Sequence, residues 1–197
     1  MGSPLTDAGL LLVNALGSLA LMVVVLRFLL QLVRADFYNP ISQMIVKLTN
    51  PALIPLRRAI PGFGGIDVAS LVLAMAVQYL VMTLILLLSG LSTLPWVAMI
   101  GWAALGIVNL TFEIYFWGML IMVIASWVAP NSYNPALILI NQLLEPVIRP
   151  IRRIMPDLGG LDLSPLVMIL GIQLLEVLLL LPLKHALGLP SGLVMGL

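Results

Sequence analysis

Long apolar runs alternate along this chain with shorter segments rich in proline and arginine. An apolar run covers about 8–34, a proline-punctuated segment 35–66, and a second apolar run 67–90. A connector at 91–102, entered through "SGLSTLP", separates this unit from a second one of the same order. There the apolar runs are 103–129 and 162–187, the proline-rich segment is 130–161, and a tail occupies 188–197. Each apolar run reaches the roughly 20 residues that cross a bilayer as a helix. The pattern predicts an all-α integral membrane fold with four transmembrane helices. Gly101 and Gly106 allow a kink or an interfacial turn where the third run begins.

The second unit copies the first without a gap at a shift of 95 residues. Tyr38-Asn39-Pro40 falls on Tyr133-Asn134-Pro135. Pro51, Pro55, Arg57, Arg58 and Pro61 fall on Pro146, Pro150, Arg152, Arg153 and Pro156. Gly64, Gly65 and Asp67 fall on Gly159, Gly160 and Asp162. Such register marks an internal duplication.

Composition sharpens the membrane reading. The chain has 197 residues, 62% of them hydrophobic and 9% charged, with a mean hydropathy of +1.19. Soluble domains carry about 25% charged residues. Cysteine is absent and His185 is the only histidine, so a multi-histidine metal site within one chain is excluded, and His185 reads as an interface residue. Arg34, Lys47, Arg57, Arg58, Arg149, Arg152 and Arg153 all fall in or beside the proline-rich segments. By the positive-inside rule these segments face the cytoplasm, which puts both termini outside. The expected arrangement is two repeats in parallel orientation about an axis along the membrane normal. No Lys or Arg precedes the first run, and Leu10 to Val33 is long for a signal-peptide core, so a cleaved signal is not expected. The opening "MGSPLT" fits an N-myristoylation pattern by letter only.

Within "NPALILINQLLEPVIRPIRRIMP", Arg149, Arg152 and Arg153 share a helix face, with isoleucines between them. This predicts a proline-broken amphipathic helix in the interface, basic face towards phosphates. Asn50-Pro51 reads as a cap followed by a first turn, and Glu145-Pro146 as a weaker version. The Gly-Gly pair lets the chain turn into the next span. Asp67 and Asp162 are then expected at helix N-caps, close enough to the arginines to clamp the surface helix to the span. The basic residues Arg57, Arg58, Arg149, Arg152 and Arg153 serve either as anchors alone or as a site for anionic lipid headgroups or a cytoplasmic partner.

Some polar residues lie inside the predicted spans. Gln78 and Gln173 are repeat mates near mid-membrane, and Asn14 and Asn109 form a second matched pair. Hydrogen bonding between helices is one role for them, and a polar path along the repeat axis is the other. Arg27, Glu113 and Glu176 fall on Met122, Ser18 and Val81 and so have no polar ionisable mate. An ionisable residue within a span is a functional candidate by default, although Arg27 can also snorkel to the interface. No P-loop, zinc-protease or nucleophile-elbow pattern occurs, and the basic patch lacks a nucleic-acid-binding fold. No enzyme, no cofactor, no metal and no direct nucleic-acid binding are therefore expected.

The combination Y-N-P, then P-x-x-x-P-x-R-R-x-x-P, then G-G-x-D before an apolar span resembles the YggT family, as a two-repeat bacterial member. The resemblance covers nearly the whole chain. Ile54 in place of the second-repeat Arg149, and Ala69-Ser70 in place of Ser164-Pro165, set the first repeat further from the family pattern. The resemblance implies a small inner-membrane protein with no catalytic residues to carry over. Relatives are linked to osmotic and ionic homeostasis, to envelope and cell-division organisation, and in plastids to cofactor assembly or nucleoid distribution. The expectation is a membrane scaffold or assembly factor, with a small channel or transporter as the alternative. Expected partners are membrane lipids with anionic headgroups, other membrane proteins, or a second copy of the chain.

Overall fold

The computed structural model describes residues 3–90, 95–129, 132–155, 162–190 and 193–194. The helices, in order, are α1 (Pro4–Leu32), α2 (Pro40–Ala59), α3 (Val68–Leu88), α4 (Trp96–Val128), α5 (Pro135–Ile154), α6 (Ser164–Leu175) and α7 (Leu181–Ala186). A π-helical turn, Glu176–Leu180, joins α6 to α7. Four helical stretches are long and apolar enough to cross a membrane: α1, α3, α4, and Ser164–Ala186 taken together.

α4 begins at Trp96 and runs unbroken through Gly101 and Gly106. It takes in most of the stretch predicted as a connector at 91–102. An interior glycine costs a helix only about 1 kcal/mol, and packing of the apolar flanks overrides that. Trp102, on the first turns, is buried and donates its indole N–H to the Leu187 carbonyl at 2.9 Å.

The two proline-rich segments also depart from expectation. α2 and α5 are single helices of 20 residues each, continuous across Pro51 and Pro55 and across Pro146 and Pro150. Asn50 is not a cap; it lies inside α2. The caps are Asn39 and Asn134, whose side-chain oxygens accept from Ile41 N at 2.9 Å and Ala136 N at 2.8 Å, with Pro40 and Pro135 at the first helical positions. The repeated Y-N-P motif is thus a helix start. Each internal proline pair has i, i+4 spacing, which puts both lost N–H groups on one side of the helix. That side is the outer one, since all four prolines are exposed. The carbonyls they leave free can be solvated there, so the helix continues.

The inner stripes are apolar or nearly so: Ser42, Ile45, Thr49 and Leu53 in α2, and Leu139, Leu143, Leu144 and Ile148 in α5. α1, α3 and the first half of α4 form the main core, in which Leu21, Val25, Met82, Met99 and Ala103 are fully buried. Met119, Leu144, Ile148, Met168 and Ile172 form a second core where α5 packs against α4 and α6. Leu144 meets α4 at Gly118, ten residues before its end at Val128, or roughly 15 Å along the helix. A Cβ on Gly118 would stand 3.5 Å from Leu144 Cδ2 and 3.6 Å from Ile140 Cγ2, ordinary contact distances. Gly118→Ala is therefore expected to be neutral or to stabilise by up to about 1 kcal/mol, through lower unfolded-state entropy. Gly118→Leu should lose about 1–3 kcal/mol by overpacking, measured by thermal unfolding in detergent.

The repeats meet through their proline-rich helices. Asn39 Nδ2 donates to the Pro135 carbonyl at 2.7 Å, and the Asp36 N–H donates to Gln142 Oε1 at 2.9 Å. Leu139 of α5 is buried among Leu30, Ala35 and Ile45. α2 and α5 therefore sit side by side at one end of the bundle, called the basic end below.

Candidate functional site

At the basic end the sequence approaches α3 through a two-residue hairpin. Phe63 and Ile66 pair with each other, and Gly64 and Gly65 between them have φ of 60° and 85°. Two consecutive positive φ angles define the turn type that glycine serves best, so the Gly-Gly pair is required by geometry. The matching Gly159 and Gly160 lie outside the described residues.

This turn delivers Asp67 to Arg57. The Arg57 guanidinium donates through Nη2 to Asp67 Oδ2 at 2.5 Å and through Nε to Oδ1 at 3.4 Å. Nη2 also reaches Gln31 Oε1 on α1 at 2.8 Å, and the Ser70 hydroxyl donates to Asp67 Oδ2. One ion pair thus ties α1, α2 and the start of α3 together. Asp67 stands at the N-cap but makes no cap bond to a backbone N–H, because Arg57 and Ser70 take its oxygens. Burial pushes the Asp67 carboxyl up, but the hydrogen bonds from Arg57 and Ser70 and the charge of Arg57 outweigh it and hold the group below the ordinary carboxylate range.

The second repeat builds the same pair more loosely. Arg152 Nε donates to Asp162 Oδ2 at 3.0 Å and Nη1 to Glu145 Oε2 at 3.4 Å. Asp162 Oδ1 accepts the Ser164 N–H at 2.9 Å, one residue ahead of the cap position held by Leu163. Burial pushes the Asp162 carboxyl up, and the Ser164 and Arg152 hydrogen bonds together bring it below the ordinary range. Pro165 stands where the first repeat has Ser70, and Ser126 where it has Gln31, so two of the contacts on the first clamp have no counterpart. The Asp67 side chain is 4% exposed, against 43% for Asp162. Arg58, Arg149 and Arg153 are exposed on the outer faces of α2 and α5.

Among the described residues, Asn14, Gln78, Asn109 and Gln173 make no hydrogen bond between helices. Asn14 Nδ2 donates to the Leu10 carbonyl of its own helix at 2.9 Å, and Asn109 Nδ2 to Glu113 Oε1 of its own helix at 3.4 Å. Partners one turn away on the same helix lie closer than any neighbour. Gln78 is fully buried, and among the described residues neither end of its amide has a hydrogen-bond partner. Its mate Gln173 is exposed, so the two amides have unequal surroundings. The cause is unequal packing: α1 lies along α3, while α4 touches α6 more sparsely. Gln173 and Glu176 instead line a cleft of about 210 Å³ with Glu113, Phe116 and Trp117. Glu176 opens the π turn, a local irregularity that often accompanies function. Arg27 is buried, with its guanidinium 5.1 Å from the centre of the Phe37 ring in the α1–α2 loop.

The sequence placed Asp67 and Asp162 near the adjacent arginines without choosing between the two of each pair. The structure selects Arg57 and Arg152, and adds Gln31, Ser70 and Phe37, which the sequence reading missed. Ser70 carried a signal, standing three residues after a cap-position aspartate. Gln31 carried none, since 26 residues separate it from Arg57.

The family model described as CCB3/YggT matches the chain twice, at residues 6–88 and 101–183. An uncharacterized protein of Pseudomonas aeruginosa is 48% identical over 190 residues, covering 96% of each chain. An uncharacterized protein of Vibrio alginolyticus is 41% identical over 169 residues, covering 85% of this chain and 91% of its own. The uncharacterized protein YggT of Escherichia coli is 38% identical over 158 residues, 79% of this chain and 80% of that one. No solved structure matches. The duplicated Arg–Asp clamp and the twofold match lead to one identification: the chain belongs to the CCB3/YggT family.

Proposed function

We propose that the protein is a non-enzymatic scaffold or assembly factor of the bacterial inner membrane, acting in envelope or cell-division organisation or in the biogenesis of membrane complexes. One observation carries the reading. α2 and α5 adjoin through Asn39–Pro135 and Asp36–Gln142, so their outer faces form a single surface carrying Lys47, Arg58, Arg149, Arg152 and Arg153. A continuous basic surface suits anionic headgroups and an acidic partner at once. The sealed amide of Gln78 argues against a conduit through the first repeat. The second reading is a small channel or transporter for osmotic adaptation, which the cleft of Glu113, Gln173 and Glu176 favours.

On this reading the basic surface faces the cytoplasm. Cysteines introduced at Arg58 and Arg153 should resist an impermeant thiol reagent in intact cells and react after permeabilisation. Labelling in intact cells would reverse the orientation. Photo-crosslinkers at the same two positions should trap one common membrane protein in native membranes, while liposomes holding the purified chain show no ion flux above empty ones. Flux without a crosslinked partner would favour the channel.

A further inference from the structure

At the 95-residue shift, Arg27 and Gln31 of α1 fall on Met122 and Ser126 of α4. In the first repeat these long polar side chains occupy the angle between span and surface helix: Gln31 reaches Arg57 at 2.8 Å, and Arg27 is buried beside Phe37. In the second repeat, among the described residues, the angle between α4, α5 and the start of α6 holds a cavity of about 570 Å³. That volume falls within the range of roughly 300–1,000 Å³ typical of ligand sites. Its walls are Met119, Met122, Val123, Leu144, Ile148 and Leu166, with Arg152 and Asp162 among the polar residues that line it and Asn141 about three turns back along α5 from Arg152. Methionine thioethers adapt to flexible chains, which suits an acyl occupant.

We propose that this cavity is a binding site for an anionic phospholipid, with an acyl chain among Met119, Met122 and Leu144 and the headgroup phosphate on Arg152. Arg152 spends Nε on Asp162 and Nη1 on Glu145; among the described residues Nη2 has no partner, and the side chain is 50% exposed. Arg149 and Arg153 stand on the same helix, three residues before and one after Arg152, and are exposed outside the cavity lining. Guanidinium groups match phosphate geometry. The site lies beyond the scaffold reading and does not depend on it, because it requires no protein partner. It also separates the repeats: the first is closed by its own Arg27 and Gln31, and the second takes these contacts from a lipid.

The test uses the full chain in nanodiscs containing a phosphatidylglycerol with a diazirine in its acyl chain. Photolysis should concentrate label on Met122, Val123 and Leu144. Arg152→Gln should lower it about tenfold, the loss expected for one charge-assisted hydrogen bond. Because Arg152 also holds Asp162, Ser126→Phe provides an independent variant that fills the cavity and touches neither residue; it should abolish the cavity label and leave thermal stability unchanged. Label spread evenly over the exposed leucines of α1, α3 and α6 would overturn the proposal. So would equal cavity labelling by the phosphatidylcholine analogue, or labelling by a diazirine fatty acid alone.

Discussion

Asp67→Ala is expected to cost the fold about 3 kcal/mol, and Asp162→Ala about 1 kcal/mol or less. The two aspartates are repeat mates with the same arginine partner, so sequence alone predicts equal effects. Their surroundings differ. Asp67 is buried and holds both Arg57 and the Ser70 hydroxyl, so its removal strands a guanidinium and a hydroxyl. Breaking a buried pair costs roughly 3–5 kcal/mol, and Arg57, one-third exposed, recovers part of that through Gln31 and solvent. Asp162 is half-exposed and its arginine keeps Glu145, which puts this pair in the range of surface salt bridges. Thermal unfolding of both variants in the same detergent measures the difference. Equal losses would mean that the clamps carry equal weight despite unequal burial.

The pH dependence follows from the same pair. The folded-state pKa of Asp67 is depressed, so its contribution is fully present above the ordinary carboxylate value near 4 and is lost as pH falls through the lower folded value. The gap between wild type and Asp67→Ala should be flat from about pH 5 to 8 and close only in stronger acid. A gap that closed between pH 5 and 7 would point to a histidine or a raised carboxylate as the titrating group.

The fold was legible where the signal was local or repeated. Apolar run length located the four candidate spans, and the gapless repeat put an Arg-Arg pair near an aspartate in each unit; which arginine of each pair bonds was not legible, and it is the one ten residues before the aspartate. The prolines misled for a physical reason: an interior proline loses one hydrogen bond and crowds the carbonyl four residues back, and the helix tolerates this better where that carbonyl is on the exposed side, which depends on which side packs. The start of α4 was hidden because Gly101 and Gly106 lower helix propensity locally while Trp102 restores order through a bond to Leu187, 85 residues away. The intramembrane polar residues were least legible. A matched pair such as Gln78 and Gln173 implies matched surroundings only when the helices around each copy pack alike, and those of the second repeat open into a cleft.

That asymmetry sets the last expected result: Gln78→Met should stabilise the protein by about 1–3 kcal/mol, and Gln173→Met should change it by less than about 0.5 kcal/mol. Gln78 is 0% exposed, and among the described residues neither its amide nitrogen nor its oxygen finds a partner. A buried amide without hydrogen bonds carries its full desolvation cost, and an apolar side chain of similar length removes that cost without opening a void. Methionine keeps the unbranched shape, so packing against the surrounding α1 and α3 core survives. Gln173 already faces outward, and its replacement removes no buried polar group. Unfolding midpoints of the two single variants decide the matter. A loss of stability in Gln78→Met would show that the amide holds a partner in the folded protein, which would make it glue between helices. A stabilised variant that fails osmotic-shock complementation would instead mark Gln78 as a group kept for function at the expense of stability, and the channel reading would gain its first residue in the first repeat.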